Sequence, residues 1–549
     1  MPYAPAQSAH RILQSCWIRR LLCLFCVCSL LLSASSCSKD SPAGKLINYV
    51  LEGEPAQLDP QFASSYSARI VLMNCMEGLT RIDSQGQVIP GAAARWDVSS
   101  DQKTWTFYLR QDAYWVANDG SQVAPVTASD FVFGMQRAVD PATQSPIASE
   151  LYPVEGAQDI HERGESVDTL GVTALDDFTL EIKLSYPVSD LPRRISSGPW
   201  LPCNEEFFLS TGGSYGLEKD MLLYNGPFRM MQWEHDVSLR LKANSKYRGH
   251  NAVQPSGVLF QIIKDSDEVQ KALTESDLDA APVTSKQFES LEDKGFQEVS
   301  FEDTTWALCF NQDEEMWQNE SIRKALGGSV ERDLLYNTMP GHMSATYGLV
   351  LSSALAGNQS YRSAPLEASP LVLDKEARVL YSQGVSTLSS DEEISIDVLC
   401  PDDMDIQLAM GFMQQSWQKN IGVYVNLVPL SESELARRIQ NGNYQVALCA
   451  LRGDDDQAIS ILELFESDND KNPVQLKSSQ YDALLSTARQ KGGTDVASLQ
   501  ACEEYLLEHA VVVPIYAQKR IFAMAENVSG ILFHPFDEGV DFIGAGKLD

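Results

Sequence analysis

The chain has 549 residues, 44% of them hydrophobic and 21% charged, an ordinary globular composition that at about 100–200 residues per domain implies several domains. With 75 Asp and Glu against 42 Lys and Arg, its formal charge is −33. Such a surface repels nucleic-acid phosphates and anionic lipid headgroups, so neither is expected as a partner, while the sign of a buried pocket stays open.

Near the start, Arg11, Arg19 and Arg20 precede an apolar run from Leu21 to Leu32, and together they read as a secretory signal. The run is shorter than the roughly 20 apolar residues that a bilayer span needs. Ser33-Ala34-Ser35-Ser36-Cys37 follows it, small residues ending at a cysteine. Bacterial lipoprotein signals have this form, which makes Cys37 the expected site of lipidation. Ala34 stands where their usual box has Leu, so cleavage without a lipid is the alternative. Residues 38–44 are polar, Pro- and Gly-containing, and read as a tether. Past Cys37 no stretch is long and apolar enough to cross a membrane. The remainder is therefore expected to be a soluble, monomeric body outside the cytoplasmic membrane. Outside the signal, Cys75, Cys203, Cys309, Cys400, Cys449 and Cys502 are scattered without C-x-x-C spacing, which argues against a metal cluster. Cys309, Cys400 and Cys449 sit in apolar runs and are expected to pack as small hydrophobes. Disulfide connectivity is not readable from spacing.

The body alternates strand and helix patterns. Trp105, Phe107 and Leu109 alternate with polar neighbours, as do Leu180, Ile182 and Leu184, and this period of two predicts half-buried strands. The segments Val237 to Leu241 and Ile394 to Val398 repeat the pattern. Between Ile406 and Asn420, the spacing of Leu408, Met410, Phe412, Met413 and Trp417 predicts a helix, with a strand over Val423 to Leu427. The continuous apolar run from Tyr444 to Ala450 suits a strand covered on both faces. Strands alternating with helices over this length predict α/β domains. Thr127 or Ser129 before Asp130-Phe131-Val132 predicts a capped helix entry. Asn225-Gly226-Pro227 predicts a turn in which Gly takes positive φ.

Enzyme motifs are weak. Gly212-Gly213-Ser214-Tyr215-Gly216 matches the nucleophile elbow G-x-S-x-G, which needs a buried strand before it. The segment before Ser214 reads instead as a helix end, so a serine hydrolase is a distant third reading. Asp468 to Asn472 begins like a calcium loop, but Pro473 replaces the Gly and Ser479 the final Glu that such a loop requires. None of the seven His forms a close metal-binding pair, and no phosphate-binding Gly loop with Lys is present. No cofactor, metal or catalytic residue is expected.

An ordered series of short segments carries a family resemblance. It runs through Leu58-Asp59-Pro60, Glu77-Gly78-Leu79, Pro90-Gly91-Ala92-Ala93 with Trp96, Trp105-Thr106-Phe107 and Val126 to Val132. It continues with Asp140-Pro141, Gly171-Val172, Asp177 to Leu180 and Asn225-Gly226-Pro227-Phe228. Asn420-Ile421-Gly422-Val423, Tyr481-Asp482-Ala483-Leu484 and Val513-Pro514-Ile515-Tyr516 complete it. From about Asn48 to about Gly530 the chain resembles the extracytoplasmic oligopeptide- and dipeptide-binding proteins of ABC importers, solute-binding protein family 5. The resemblance implies an α/β, two-lobed periplasmic-binding-protein-like fold (class II, cluster C) with a hinge. By alignment, residues 38–77, 201–303 and 520–549 form the core of lobe 1, residues 78–200 a subdomain inserted in it, and residues 304–519 lobe 2. The implied function is capture of short peptides and delivery to a membrane permease driven by a separate ATPase, with the body held at the membrane by its lipid anchor. A peptide sensor or chaperone without transport, or a receptor for a non-peptide solute, are the alternatives.

A peptide offers an α-ammonium, backbone donors and acceptors, and a carboxylate, whatever its side chains. In the resembled family an acid just beyond a buried strand of lobe 2 takes the ammonium. Here Leu451-Arg452-Gly453-Asp454-Asp455-Asp456 follows Ala450, and Asp454 aligns best with that acid. Asp455 and Asp456 are register alternatives, and a solvated loop is the competing structural reading. Members often carry Trp where Leu451 stands, and the Pro of the next turn is replaced around Ala458. The basic residues that some members use for a C-terminal carboxylate are missing around Ile439 and Leu448, a role Arg452 could fill. The lobe 1 wall is expected at Ala63, Ser64, Ser65 and Tyr66. Thr305 and Trp306, near the crossing into lobe 2, are further cleft candidates, with Trp306 equally suited to a core.

Overall fold

The computed structural model describes residues 44–548, apart from 85, 364–375, 389–394, 454, 470 and 536–538. The export signal, Cys37, the tether through Ala43, Ile394 and Asp454 lie outside the described residues. Residues 45–549 form one compact unit. Among the described residues no helix is long and apolar enough to cross a membrane.

The elements that matter for the site begin with strand β1 (Leu46–Leu51) and helix α1 (Tyr66–Cys75). Strands β2 (Ala93–Val98) and β3 (Thr104–Leu109), helix α2 (Ala128–Val139), strands β4 (Val172–Asp176) and β5 (Thr179–Lys183) and the short helix α3 (Leu191–Arg194) follow. Then come β6 (Phe228–Glu234), β7 (Ser238–Ala243), β8 (Gly257–Ile262), β9 (Ala280–Val283), the long β10 (Phe296–Phe310) and β11 (Met343–Ala345). The rest are β12 (Ile396–Pro401), α4 (Met404–Ile421), β13 (Val425–Leu430), β14 (Val446–Leu451), α5 (Ala458–Glu463), α6 (Ser479–Gln490) and β15 (Val512–Ala525).

The alternating segments form the expected strands because period-two patterning puts one face against the core. In β3, Trp105, Phe107 and Leu109 are buried, and in β5 so are Leu180 and Ile182. Val237 departs from its pattern: it is 52% exposed, in a hairpin turn where Asp236 takes φ 58°, and β7 begins one residue later. Helix α4 starts where the Asp403 side chain accepts the backbone N–H groups of Asp405 and Ile406. It stops at Gly422, whose φ of 76° ends the helix in the left-handed region. Met410, Met413 and Trp417 face the core while Leu408 does not. The helix entry at Thr127 also forms, with its N–H donating to the Asp130 carboxylate at 2.7 Å. Trp115 Nε1 and Asn204 Nδ2 hold that acid too. Gly226 differs from expectation. Its φ is not positive; what requires Gly is the Cys75 backbone, 2.6 Å from where a Cβ would stand.

The main sheet has eleven strands in the order β6-β7-β8-β1-β9-β15-β10-β14-β12-β13, with β11 on β15. A separate antiparallel sheet orders β2-β3-β5-β4 between Ala93 and Lys183. Beside that sheet, Phe107, Phe131 and Trp200 join one apolar cluster with Ile47, Phe260 and Phe542. Beyond it, Trp306, Leu308, Trp417 and Tyr516 belong to a different cluster, and Ala307, Cys309, Leu451 and Tyr481 to a third. Among the described residues only β10 and β15 run through both halves, pairing antiparallel from Phe296–Ala525 to Cys309–Val512. The six cysteines outside the signal are free and buried.

Candidate functional site

Where β10 and β15 pass from one core to the other, their register shifts twice, between Glu302 and Thr304 and between Trp306 and Ala307. Such irregularities locally bend and twist a strand pair. Asp303, Thr304 and Thr305 between them are buried polar residues, and each carries a partner. The Asp303 carboxylate lies 3.2 Å from Arg520 Nε on β15 and accepts the Thr304 hydroxyl at 2.8 Å. Thr304 Oγ1 in turn accepts Arg452 Nε at 2.6 Å. On the other side the Arg520 guanidinium stands over the Tyr66 ring, 5.0 Å from its centre. A chain of contacts thus runs from the first residue of α1, across both long strands, to the loop after β14.

Several candidates meet here. Tyr66 and Arg452 are joined through Arg520, Asp303 and Thr304. Ser64 and Ser65 sit beside Tyr66 at the surface: the Ser64 carbonyl accepts Arg69, and the Ser65 hydroxyl caps α1 by accepting Ala68 N–H at 3.3 Å. Leu451 is the last residue of β14 and is buried in the lobe 2 core, so the strand extends one residue beyond Ala450. A side chain at Gly453 would meet the Ser460 hydroxyl at 2.9 Å. Thr305 and Trp306 do not offer their side chains to a cleft. The Thr305 hydroxyl donates to the Leu349 carbonyl at 2.8 Å, while Trp306 stacks on Tyr516 and donates to Gln518. The strand alternation turns both toward cores. Ser214 follows a short helix, Glu205–Ser210, with no strand before it, so the elbow that a serine nucleophile needs is absent.

The register alternatives Asp455 and Asp456 are not solvated: both face arginines. Asp456 lies 3.1 Å from Arg193 Nη1, and Asp455 3.9 Å from Arg194 Nε, both arginines belonging to α3. Burial pushes both carboxyls above the ordinary range, with the arginines opposing the rise. Sequence reasoning missed Asp303, Arg520, Arg193 and Arg194. No periodicity or spacing marks them, and the tandem Arg193-Arg194 after Pro192 was the one available signal.

A hinged pair of lobes with polar groups at the crossing defines a solute-binding protein of the two-lobed class. The substrate-binding domain of an oligopeptide ABC transporter from Bacillus anthracis superposes with a TM-score of 0.76 at 25% identity, covering 92% of this chain and 99% of that one. The family model for bacterial extracellular solute-binding proteins, family 5, matches residues 87–473, and the chain belongs to that family. Among curated relatives, the dipeptide-binding protein DppE of Bacillus subtilis is 26% identical over 508 residues, 90% of this chain and 91% of that protein. The oligopeptide-binding protein OppA of Bacillus subtilis is 26% identical over 507 residues, with 90% and 91% covered.

Proposed function

We propose that this chain is the extracytoplasmic receptor of a peptide ABC importer: it closes two lobes over a short peptide and hands it to a membrane permease served by a separate ATPase. The observation that carries this reading is the polar seam from Tyr66 through Arg520, Asp303 and Thr304 to Arg452 at the crossing of the two lobes of a family 5 fold. Relatives that align along nine-tenths of this chain are named for dipeptide and oligopeptide binding. Lobe 1 comprises residues 38–77, 201–303 and 520–549, residues 78–200 are its insert, and residues 304–519 make lobe 2.

In this reading Asp454 receives the peptide ammonium, because it lies three residues past the end of β14 and a closed, water-poor cleft demands a carboxylate there. Arg452 and the loop from Ala63 to Tyr66 line the same space. Cys37 carries the lipid that tethers the monomeric body to the cell envelope. The decisive experiment is mass spectrometry of small molecules that co-purify with the native body, followed by calorimetric titration with a defined peptide. Recovery of a non-peptide solute alone, with no heat from any peptide, would replace this reading with the second one, a receptor for another solute.

A further inference from the structure

The edge where the insert meets lobe 2 carries a set of contacts that neither the hinge nor ligand capture requires. Arg193 and Arg194 face Asp456 and Asp455, as described, and side-chain exposure of these four residues lies between 5% and 17%. Nearby, Ser189 N–H donates to the Gly492 carbonyl at 3.2 Å. Arg489 stands over the Tyr186 ring at 5.3 Å, while two glutamates of lobe 2, Glu463 and Glu466, neutralise it. Gly492 takes φ 80°, and the Ser189 hydroxyl lies 2.1 Å from where a Cβ would stand. A side chain at Gly492 would force the Ser189 hydroxyl to turn away, and the positive φ itself favours glycine.

We propose that this edge is an interlobe latch, with Arg193–Asp456 and Arg194–Asp455 as its charged core and the Ser189–Gly492 approach as its steric gauge. It holds the closed arrangement and limits how far a ligand extends past this edge. Each half keeps polar partners when the lobes part. Arg194 is 3.0 Å from Asp190, the residue just before its own helix, and Arg193 also donates to the Gly86 carbonyl. Asp455 accepts Gln457 N–H at 2.9 Å and Asp456 accepts Gln457 Nε2 at 2.8 Å. Opening therefore strands no bare charge, and the pairs form and break reversibly, unlike a buried pair whose members have no other partner. The latch also accounts for the run of three acids after β14: two of them serve closure.

The length limit rests on the peptide-receptor reading; the latch itself does not. The test uses the full body in four forms: native, Asp455→Asn/Asp456→Asn, Gly492→Ala, and the charge swap Arg193→Glu/Asp456→Arg. Thermal melts first confirm that each is folded. Small-angle scattering without added ligand is expected to give a larger radius of gyration for the neutralised and Gly492→Ala forms and a value nearer native for the swap. Equal radii in all four overturn the latch. Titration with peptides of two to eight residues is then expected to show about tenfold weaker binding of the shortest peptides by the unlatched forms, as the closed population falls, with little loss for the longest. An equal loss at every length overturns the length limit. A native protein that binds no peptide sinks the receptor reading, while the scattering still judges the latch.

Discussion

Arg520 on one long strand and Asp303 on the other face each other at 3.2 Å, at the point where the strand pair changes register between the two lobes. The Asp303 side chain is 2% exposed, and Arg520 reaches back to cover Tyr66 of lobe 1. One guanidinium thus couples the hinge to the start of α1, where the first wall of the cleft is proposed.

Replacing Arg520 tests that coupling. Removing one partner of a buried ion pair typically costs about 3–5 kcal/mol because the remaining charge is uncompensated. Arg520→Met should therefore lower the denaturation midpoint markedly, and Asp303→Asn added to it should recover part of the loss. Arg520→Lys should recover less than charge alone suggests, since an ammonium lacks the planar face over Tyr66 and the fork toward Asp303. Denaturant melts of the four forms give the comparison, and a midpoint unchanged in Arg520→Met would remove the pair from any account of the hinge.

Asp454→Asn probes the proposed ammonium site. Truncating one side of a buried charged contact costs about 2–5 kcal/mol in binding. An N-acetylated peptide should bind the native protein poorly and lose little more in the variant, because both changes delete one interaction. Calorimetry with free and acetylated peptide decides, and equal affinity of both proteins for the free peptide would dismiss Asp454. Asp455 and Asp456 cannot serve as inert controls, since both engage arginines across the lobes.

Cys37→Ala should abolish incorporation of labelled fatty acid and leave the protein unprocessed or soluble. Label retained in that variant would exclude Cys37 as the anchor.

His534 gives a pH dependence. Burial lowers its pKa to about 4, with Arg81 and Arg193 acting in the same direction and Asp541 against it. A histidine depressed in the folded state binds protons better when unfolded. Its contribution to stability is thus complete above about 6.5 and is lost as pH falls toward 4. The loss amounts to ~3 kcal/mol at about 1.4 kcal/mol per unit. Urea melts between pH 7 and 4 should show a steeper decline for the native protein than for His534→Gln, and parallel slopes would contradict the assignment.

Local elements were largely legible because they depend on neighbours in sequence. Trp105, Phe107 and Leu109 declare a strand by alternation, and Asp403 to Gly422 declares a helix by its caps. Trp306 was ambiguous because a lone aromatic beside a presumed hinge suits a cleft as well as a core, and only its stacking partner Tyr516, far along the chain, decides. The acidic run after β14 was visible as chemistry, yet its division was not. Asp456 is paired with Arg193, which lies far earlier in the chain and carries no pattern linking the two. Long-range charge pairing is a property of topology, which period and propensity do not encode.

The placement of β15 bears on the order in which the body is built. Its residues Ile521 to Met524 pair with β9, and Phe296 on β10 pairs with Ala525, so one of the inner strands of the lobe 1 sheet comes from beyond all of lobe 2 in the chain. While the chain emerges from N to C terminus, β9 and the first half of β10 have no strand between them until that segment arrives. Contacts of such sequence separation form late, after a large loop has closed. The sheet holding β9 and the first half of β10 is therefore completed only once β15 has been made, and until then its open edges are exposed to unwanted strand pairing.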